Sequence, residues 1–277
     1  MKLLGRKTML NPLNIIVLIK QVPDIEKVRF DYDKGRLDRG SAEATTNPFD
    51  LNALETAVQI KEKVGGVVTA ISMGPENAIE TLRDALARGA DKAVLLTDIK
   101  FAGADTLATS YTLSCAVKKI GLFDLLVCGE KSVDGDTAQV GPEVAEFLGI
   151  PHVAYVEEVL EVKATEITVK SRFDEKSYLV KIRFPSLITV TKDVNVPRLP
   201  TLKDKLRSRK AEVTVWNASN LLDVAEEQLF GLTGSATWVA KVYAPSADKR
   251  KCQIIGGTLE EKSKKIAEVL AKLGVLR

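Results

Sequence analysis

Between Asn14 and Cys128 the chain repeats one pattern: a short apolar run, then a segment with apolar residues at helical spacing, closed by glycine. The apolar runs are Asn14–Val22 (NIIVLIKQV), Val67–Ser72, Ala93–Leu96 and Leu125–Cys128. They do not alternate apolar with polar, so both faces of each strand must be covered, the condition found in parallel sheets. The helical segments begin at Asn47, Pro75 and Asp105 and stop at Gly65-Gly66, Gly89 and Gly121, where glycine supplies the left-handed cap. In the first of them Asn47 fits the N-cap, Pro48 the first helical position and Asp50 the acidic first turn. This βαβαβαβ order predicts an α/β fold with a parallel sheet and helices on both faces. Such sheets bind ligands at the carboxyl ends of their strands. Four segments converge there: Leu18–Gln21, Asn47–Asp50, Ser72–Gly74 and Gly129–Val140, an arrangement that suits a nucleotide.

The last of these, Gly129-Glu130-Lys131-Ser132-Val133-Asp134-Gly135-Asp136-Thr137-Ala138-Gln139-Val140, joins the strand Asp124–Cys128 to a helix expected from about Thr137. A strand that passes through glycines into a helix can cradle phosphate, because the first-turn N–H groups and the helix dipole favour an anion. Gly129 and Gly135 allow close backbone approach, and Thr137 can donate a hydroxyl hydrogen bond. Asp134 and Asp136 would repel phosphate if they faced it. Three roles stand open for them: Asp136 as helix cap, Asp134 on a ribose hydroxyl, or both shaping the loop through backbone N–H groups. A plain tight turn with ordinary caps also accounts for the same spacing.

Composition excludes several classes. The net charge is +3 over 277 residues, too small to argue for nucleic acid or an acidic membrane surface. Cys115, Cys128 and Cys252 lie far apart and read as reduced cysteines, with no disulfide framework or zinc site. The lone histidine, His152, cannot supply a metal cluster. No apolar stretch approaches the roughly 18 residues of a membrane span. Residues 1–13 are basic without a sustained apolar core, and read as a short extension rather than a signal peptide. The expected location is cytoplasmic.

Beyond Pro151 the pattern changes. Val153–Val162, Glu166–Phe173, Tyr178–Phe184 and Leu187–Thr191 read as strands, with the turn Asp174-Glu175-Lys176 marking an antiparallel addition. Phe30–Gly40 carries Asp33-Lys34-Gly35 between short flanks and suggests a hairpin or a folded-back loop. Residues 192–216 are proline-broken and basic, and Asn217–Ser246 is loop-like. Gly257–Gly274 is an amphipathic helix capped by Thr258, with Leu259, Ile266, Val269, Leu270 and Leu273 along one face. Such a helix suits either packing home or docking on a partner.

Read together, these segments resemble the β (small) subunit of electron transfer flavoproteins over nearly the whole length from Asn14. The resemblance rests on Val17-Leu18-Ile19-Lys20-Gln21-Val22-Pro23-Asp24, Asn47-Pro48-Phe49-Asp50, Ala70-Ile71-Ser72-Met73-Gly74-Pro75 and Arg88-Gly89-Ala90-Asp91. The loop Asp134–Pro142 and the segment Thr191-Lys192-Asp193 through Pro197-Arg198 to Thr201-Leu202-Lys203 complete it. It implies a Rossmann-like, adenine-nucleotide-binding α/β domain over residues 14–216, after an extension over 1–13. A C-terminal arm over 217–277 would end in a helix and dock on an FAD-carrying α subunit. The implied nucleotide pocket comprises Leu18, Asn47, Pro48, Phe49, Asp50, Met73 and Gly129 through Val140. Housekeeping members hold AMP there, and electron-bifurcating members hold FAD. This loop reads DGDTAQVGP, with Gly135, Ala138 and Pro142 where housekeeping members more often carry aspartate, asparagine and glutamine. It is similar to the bifurcating group, and FAD is the preferred ligand with AMP the alternative.

For that group the resemblance implies NADH as electron donor, with one electron passing to the α-subunit FAD and an acyl-CoA dehydrogenase-type acceptor. The other passes to ferredoxin or flavodoxin. The flavin carries the redox chemistry, so no catalytic side chain and no metal ligand is assigned. Residues 200–210 match the family's recognition loop, with Leu202 as exposed anchor and Lys203, Lys205, Arg207, Arg209 and Lys210 for steering. Asp204 and Lys205 depart from the usual small and apolar residues, which leaves the partner's identity open, and a solvated basic loop is the plainer reading. Two rivals remain: a stand-alone nucleotide-binding protein of the universal-stress type, and an ATP-pyrophosphatase-type ligase. The ligase needs a Ser-Gly-Gly loop after the first strand, which Lys20-Gln21-Val22-Pro23 is not. Nucleic-acid binding would rest on residues 203–210 alone, without aromatic platforms.

Overall fold

The first apolar run sits in the middle of a nine-stranded sheet, and the reason is visible in its burial. Five of the six residues of β1 (Leu13–Leu18) are buried, which only a strand covered on both faces can satisfy. A computed structural model of the chain describes residues 12–24, 44–240 and 254–275 fully, and the backbone alone of 29–31 and 36–38. In chain order the elements after β1 are β2 (Gln21–Pro23), β3 (Arg29–Asp31), β4 (Arg36–Asp38), β5 (Ala44–Thr46) and α1 (Pro48–Val64). Then come β6 (Gly66–Met73), α2 (Ile79–Arg88), β7 (Lys92–Leu96), α3 (Thr106–Ile120), β8 (Leu125–Gly129) and α4 (Val140–Leu148). The third group is β9 (His152–Val162), β10 (Glu166–Phe173), β11 (Lys176–Arg183), β12 (Ser186–Val190), α5 (Leu202–Lys210) and β13 (Thr214–Trp216). The last are α6 (Ala218–Leu221), α7 (Gly231–Gly234) and α8 (Leu259–Lys272).

The strand order is β11-β10-β9-β12-β8-β1-β6-β7-β13. From β1 the chain winds outward through β6 and β7, then returns to place β8 on the other side of β1; the pairs β1–β6, β1–β8 and β6–β7 are all parallel. The winding reverses between β1 and β8, and a crevice opens there at the strand ends. Each face has its own core. Val17, Ala70 and Val127 point with Leu54, Ala57 and Leu82 into one. Ile16, Ile71 and Leu126 point with Ala116, Val144 and Phe230 into the other. The period-two alternation of strand side chains produces this division.

Three expectations change. The run Asn14–Val22 is not one strand: β1 ends at Leu18, and β2 pairs antiparallel with β5. Leu187–Thr191 reads from sequence as part of an antiparallel addition, but β12 lies parallel between β8 and β9. All five β12 residues are buried, so an outer position would waste its apolar faces; β9, β10 and β11 do form the antiparallel extension. Residues 200–210 are not a loop, since Leu202–Lys210 form α5 with Thr201 capping the Asp204 N–H. Of the hairpin and the folded-back loop expected here, the antiparallel β3–β4 pairing agrees with the hairpin; the turn, Asp33-Lys34-Gly35, lies outside the described residues, as do residues 1–11.

The chain divides into two units, Met1–Val239 and Ala240–Arg277. Residues 217–239, assigned from sequence to the arm, fall in the first, because Ala218, Leu221 and Phe230 are buried in its core. In the second unit α8 is closed by a reciprocal capping box between Thr258 and Glu261, and Leu259, Ile266, Val269 and Leu273 are all exposed. Among the described residues no helix is long and apolar enough to cross a membrane.

Candidate functional site

The start of α1 holds the strand ends together. The Asn47 backbone N–H donates to Lys20 O at 2.9 Å. The Lys20 N–H donates to Asp50 Oδ2 at 2.8 Å, and the Gly129 N–H donates to Asp50 Oδ1 at 3.2 Å. One carboxylate therefore ties the end of β1 to the end of β8. Asn47 extends the clamp into the following loop: its Nδ2 donates to Lys131 O at 2.9 Å and its Oδ1 accepts from the Val133 N–H at 3.2 Å. Asn47 occupies the N-cap position expected from sequence, but its side chain makes no cap bond because it is engaged with the loop. Burial drives the Asp50 carboxyl up to about 7, against hydrogen bonds from Asn47, Lys20 and Gly129 and the Lys20 charge. Gly129 must be glycine: a Cβ would lie 2.6 Å from both Asp50 Oδ1 and Phe49 Cβ.

The loop after Gly129 turns through two residues in left-handed conformation, Asp136 and Ala138, both with φ 54. Left-handed backbone cannot continue into a helix, so α4 begins at Val140 rather than at Thr137, and Gln139 is its N-cap residue. Asp136 is consequently no helix cap. It pairs with Lys131 at 2.7 Å, and Asp134 pairs with Lys20 at 2.7 Å. Burial would raise the Asp134 carboxyl, but hydrogen bonds from Lys20 and Ser132 outweigh it and hold the group below the usual carboxylate range. Lys131 Nζ also lies 5.7 Å from the centroid of the Phe49 ring.

A second strand–loop–helix unit completes the crevice. After β7 the chain passes through Phe101 and Gly103 to Asp105, whose Oδ1 accepts from the Ala108 N–H at 3.0 Å as the cap of α3. Its Oδ2 accepts from the Thr237 N–H at 2.9 Å. Burial would raise this carboxyl, but these backbone donors outweigh it and hold it low. Glu143 accepts from Ser110 Oγ at 2.9 Å and Thr106 Oγ1 at 3.2 Å, fastening the first turns of α3 and α4 side by side.

A cavity of about 450 Å³ lies between these elements, within the roughly 300–1,000 Å³ usual for small-molecule sites. Of the residues named from sequence, Leu18, Asp50, Met73, Gly129, Glu130, Lys131, Ser132, Gly135, Thr137, Ala138, Gln139 and Val140 line it. Asn47, Pro48, Phe49, Val133, Asp134 and Asp136 are not among its lining residues. Sequence reasoning missed the α3 side, notably Phe101, Asp105, Thr106 and Thr109, together with Cys128; Lys20 falls in the segment Leu18–Gln21 expected at the strand ends. The signal was present, since Gly103-Ala104-Asp105-Thr106 repeats the strand, glycine, helix-cap pattern. Met73 and Phe101 also line a neighbouring cavity of about 390 Å³. Cys115 and Cys128 are buried free thiols, and burial pushes Cys128 well above its ordinary range, with the Asp50 charge adding to it. Cys252 lies outside the described residues. Among the described residues no group of three or more acidic, histidine or cysteine side chains is placed to hold a metal. Away from the cavity, α5 lies against α2, and Leu202, Lys203, Lys205, Arg207 and Lys210 are all exposed.

Comparison with known proteins bears on this geometry. A family model described as the electron transfer flavoprotein domain matches residues 35–221. The electron transfer flavoprotein subunit beta of Thermoanaerobacterium thermosaccharolyticum is 44% identical over 259 residues, covering 93% of this chain and 98% of that protein. The subunit beta of Clostridium acetobutylicum is 46% identical, covering 83% and 87%. Protein FixA of Azorhizobium caulinodans is 41% identical, covering 88% of each.

Proposed function

Since the chain belongs to the electron transfer flavoprotein family as a β subunit, we propose that its cavity holds FAD and that the protein serves electron bifurcation. The family assignment makes it an electron-transfer subunit that works with an α subunit. The proposed activity takes electrons from NADH. One is delivered to the α-subunit FAD and an acyl-CoA dehydrogenase-type acceptor, and the other to ferredoxin or flavodoxin.

The observation that carries this reading is the cavity at the reversal between β1 and β8, walled by the Gly129–Val140 loop and the start of α4. Its donors suit a nucleotide: threonine hydroxyls from Thr109 and Thr137, the Gln139 amide, and the Val140 and Gly141 N–H groups at the start of α4. Small residues at Gly135 and Ala138 keep the loop side of the wall thin. Met73 and Phe101 stand between it and an adjoining cavity of about 390 Å³, into which the flavin end of FAD, but not AMP, would extend if these side chains turned aside. A flavin there would supply the redox chemistry. The chain's own residues bind and orient it: Asp50 and Asn47 fix the two loops, and Leu18, Met73 and Leu113 give the cavity apolar wall. Exposed Leu202 with its basic neighbours is the proposed contact for the acceptor dehydrogenase, and the apolar face of α8 the proposed contact for the α subunit.

Co-expression with the α subunit, release of bound ligands and quantification of FAD and AMP test the reading. Two FAD per heterodimer with negligible AMP is the expected result. One FAD and one AMP would overturn bifurcation and leave a conventional electron carrier with structural AMP. A colourless monomer that associates with no α subunit would favour the stand-alone universal-stress type.

A further inference from the structure

We propose that Asn195 and Arg198 are positioning residues for the acceptor contact: they strap residues 192–200 onto α1 and α2 and so fix the start of α5, where Leu202 stands. The inference rests on the reading of Leu202 as that contact. Three polar side chains of α1, Asn52, Glu55 and Thr56, are 5%, 5% and 2% exposed. Their spacing of three and four places them on one face of the helix, a covered face that apolar residues would ordinarily fill. The strap lies on it instead. Asn52 Nδ2 donates to Asn195 O at 2.8 Å and to Lys192 O at 3.2 Å, and Asn195 Nδ2 donates to Thr56 Oγ1 at 2.8 Å. Arg198 Nε donates to Glu55 Oε2 at 2.8 Å, and its Nη1 donates to Glu62 Oε1 at 2.6 Å. The Arg198 carbonyl accepts from Arg88 Nη1 of α2 at 2.6 Å.

Apolar burial contributes little to the path of this segment. Val196 and Leu199 are exposed, and Val194 packs only partly against the core. Nor does α5 anchor its own start: it rests on α2, but Leu202 and Leu206 are exposed and its buried residue is Ser208. Beyond α5, Ala211 and Val213 pack against the core. Its far end is therefore held by apolar packing and its near end by the strap. The chemistry of the strap suits placement. A guanidinium on carboxylates fixes direction as well as distance. Burying a charge such as Glu55 adds little net stability over an apolar pair of the same volume, and its use is to specify one arrangement. A contact side chain held in place before encounter also loses less freedom when the partner arrives.

A double-variant cycle on the full heterodimer, read as the KM for one purified acyl-CoA dehydrogenase, separates positioning from general integrity. Leu202→Ala is expected to raise that KM roughly tenfold. Arg198→Lys keeps the charge but loses the fork, and is expected to raise it severalfold with bound flavin and heterodimer yield at wild-type levels. The double variant should match Leu202→Ala alone, since a positioning residue acts only through the side chain it places. Asn195→Ala leaves the Arg198 fork intact and should behave in the same way, which keeps the test open where Arg198→Lys does not assemble. An unchanged KM in a strap variant that assembles, or an effect that multiplies with that of Leu202→Ala, would overturn the proposal. An unchanged KM in Leu202→Ala, or no transfer from the wild type, would instead overturn the reading of α5 as the acceptor contact.

Discussion

Replacing Asp50 by asparagine should change not only the stability of the chain but the way stability depends on pH. Asp50 is 6% exposed, and burial lifts its carboxyl from 3.8 to about 7. The folded value lies above the unfolded one, so between those limits the folded chain keeps a proton that the unfolded chain has released. Stability contributed by this group is therefore fully present below pH 3.8, declines as pH rises, and is gone above about 7. A little over three pH units at about 1.4 kcal/mol each gives about 4 kcal/mol across the whole window, and about 2.5 kcal/mol between pH 5 and 8. The asparagine side chain cannot titrate, and its amide nitrogen cannot accept one of the two N–H groups that Asp50 now satisfies, a loss of about 1–3 kcal/mol. Urea unfolding of both chains at pH 5, 6, 7 and 8 isolates the effect, because every other carboxylate is common to the two. The wild type should be the more stable at pH 5, and its advantage should shrink by about 2.5 kcal/mol by pH 8. A gap that stays constant across this range would refute the reasoning, since it would mean that Asp50 folds with its ordinary affinity for protons.

Other consequences are simpler to measure. Gly129→Ala places a methyl group 2.6 Å from Phe49 Cβ and Asp50 Oδ1; it should cost about 1–3 kcal/mol in chemical unfolding and reduce the nucleotide retained on purification. Arg198 bridges Glu55 at 2.8 Å and Glu62 at 2.6 Å, and its carbonyl accepts from Arg88. Arg198→Met leaves the buried Glu55 without its cation and should cost about 2 kcal/mol, less than a fully buried pair because the guanidinium is partly exposed. Leu202→Asp alters a side chain that is 74% exposed, so the unfolding free energy should hold within about 0.5 kcal/mol. Electron transfer to an acyl-CoA dehydrogenase-type acceptor should fall through a raised KM, and an unchanged KM would remove α5 from that contact.

Local features are legible wherever one residue type has few alternatives. Gly65, Gly89 and Gly121 end helices with positive φ, and Asp105 and Thr258 cap helices through their side chains. Asn47 marks the N-cap position of α1, yet its side chain serves a loop 84 residues later. No periodicity records a partner at that separation. The same blindness places β12 outside the parallel sheet: a buried apolar pentapeptide pairs equally well in either direction, and its neighbours β8 and β9 decide the matter. The start of α4 is hidden for a related reason, because nothing in Thr137-Ala138 announces a left-handed residue; Ala138 adopts it only within a loop fixed at its other end by Asn47.

The alternation of parallel strands and helices through Gly129, the burial of β1 on both faces, and the position of a cavity at the strand ends follow from the sequence alone. Each follows from the spacing of apolar residues along a few turns of chain. Which side chains form the cavity wall was decided only by the tertiary structure. Lys20 and Asp134 are 114 residues apart, yet their side chains pair across the mouth of the loop at 2.7 Å. That pairing depends on where α1 holds the ends of β1 and β8, a three-dimensional constraint that no local pattern carries.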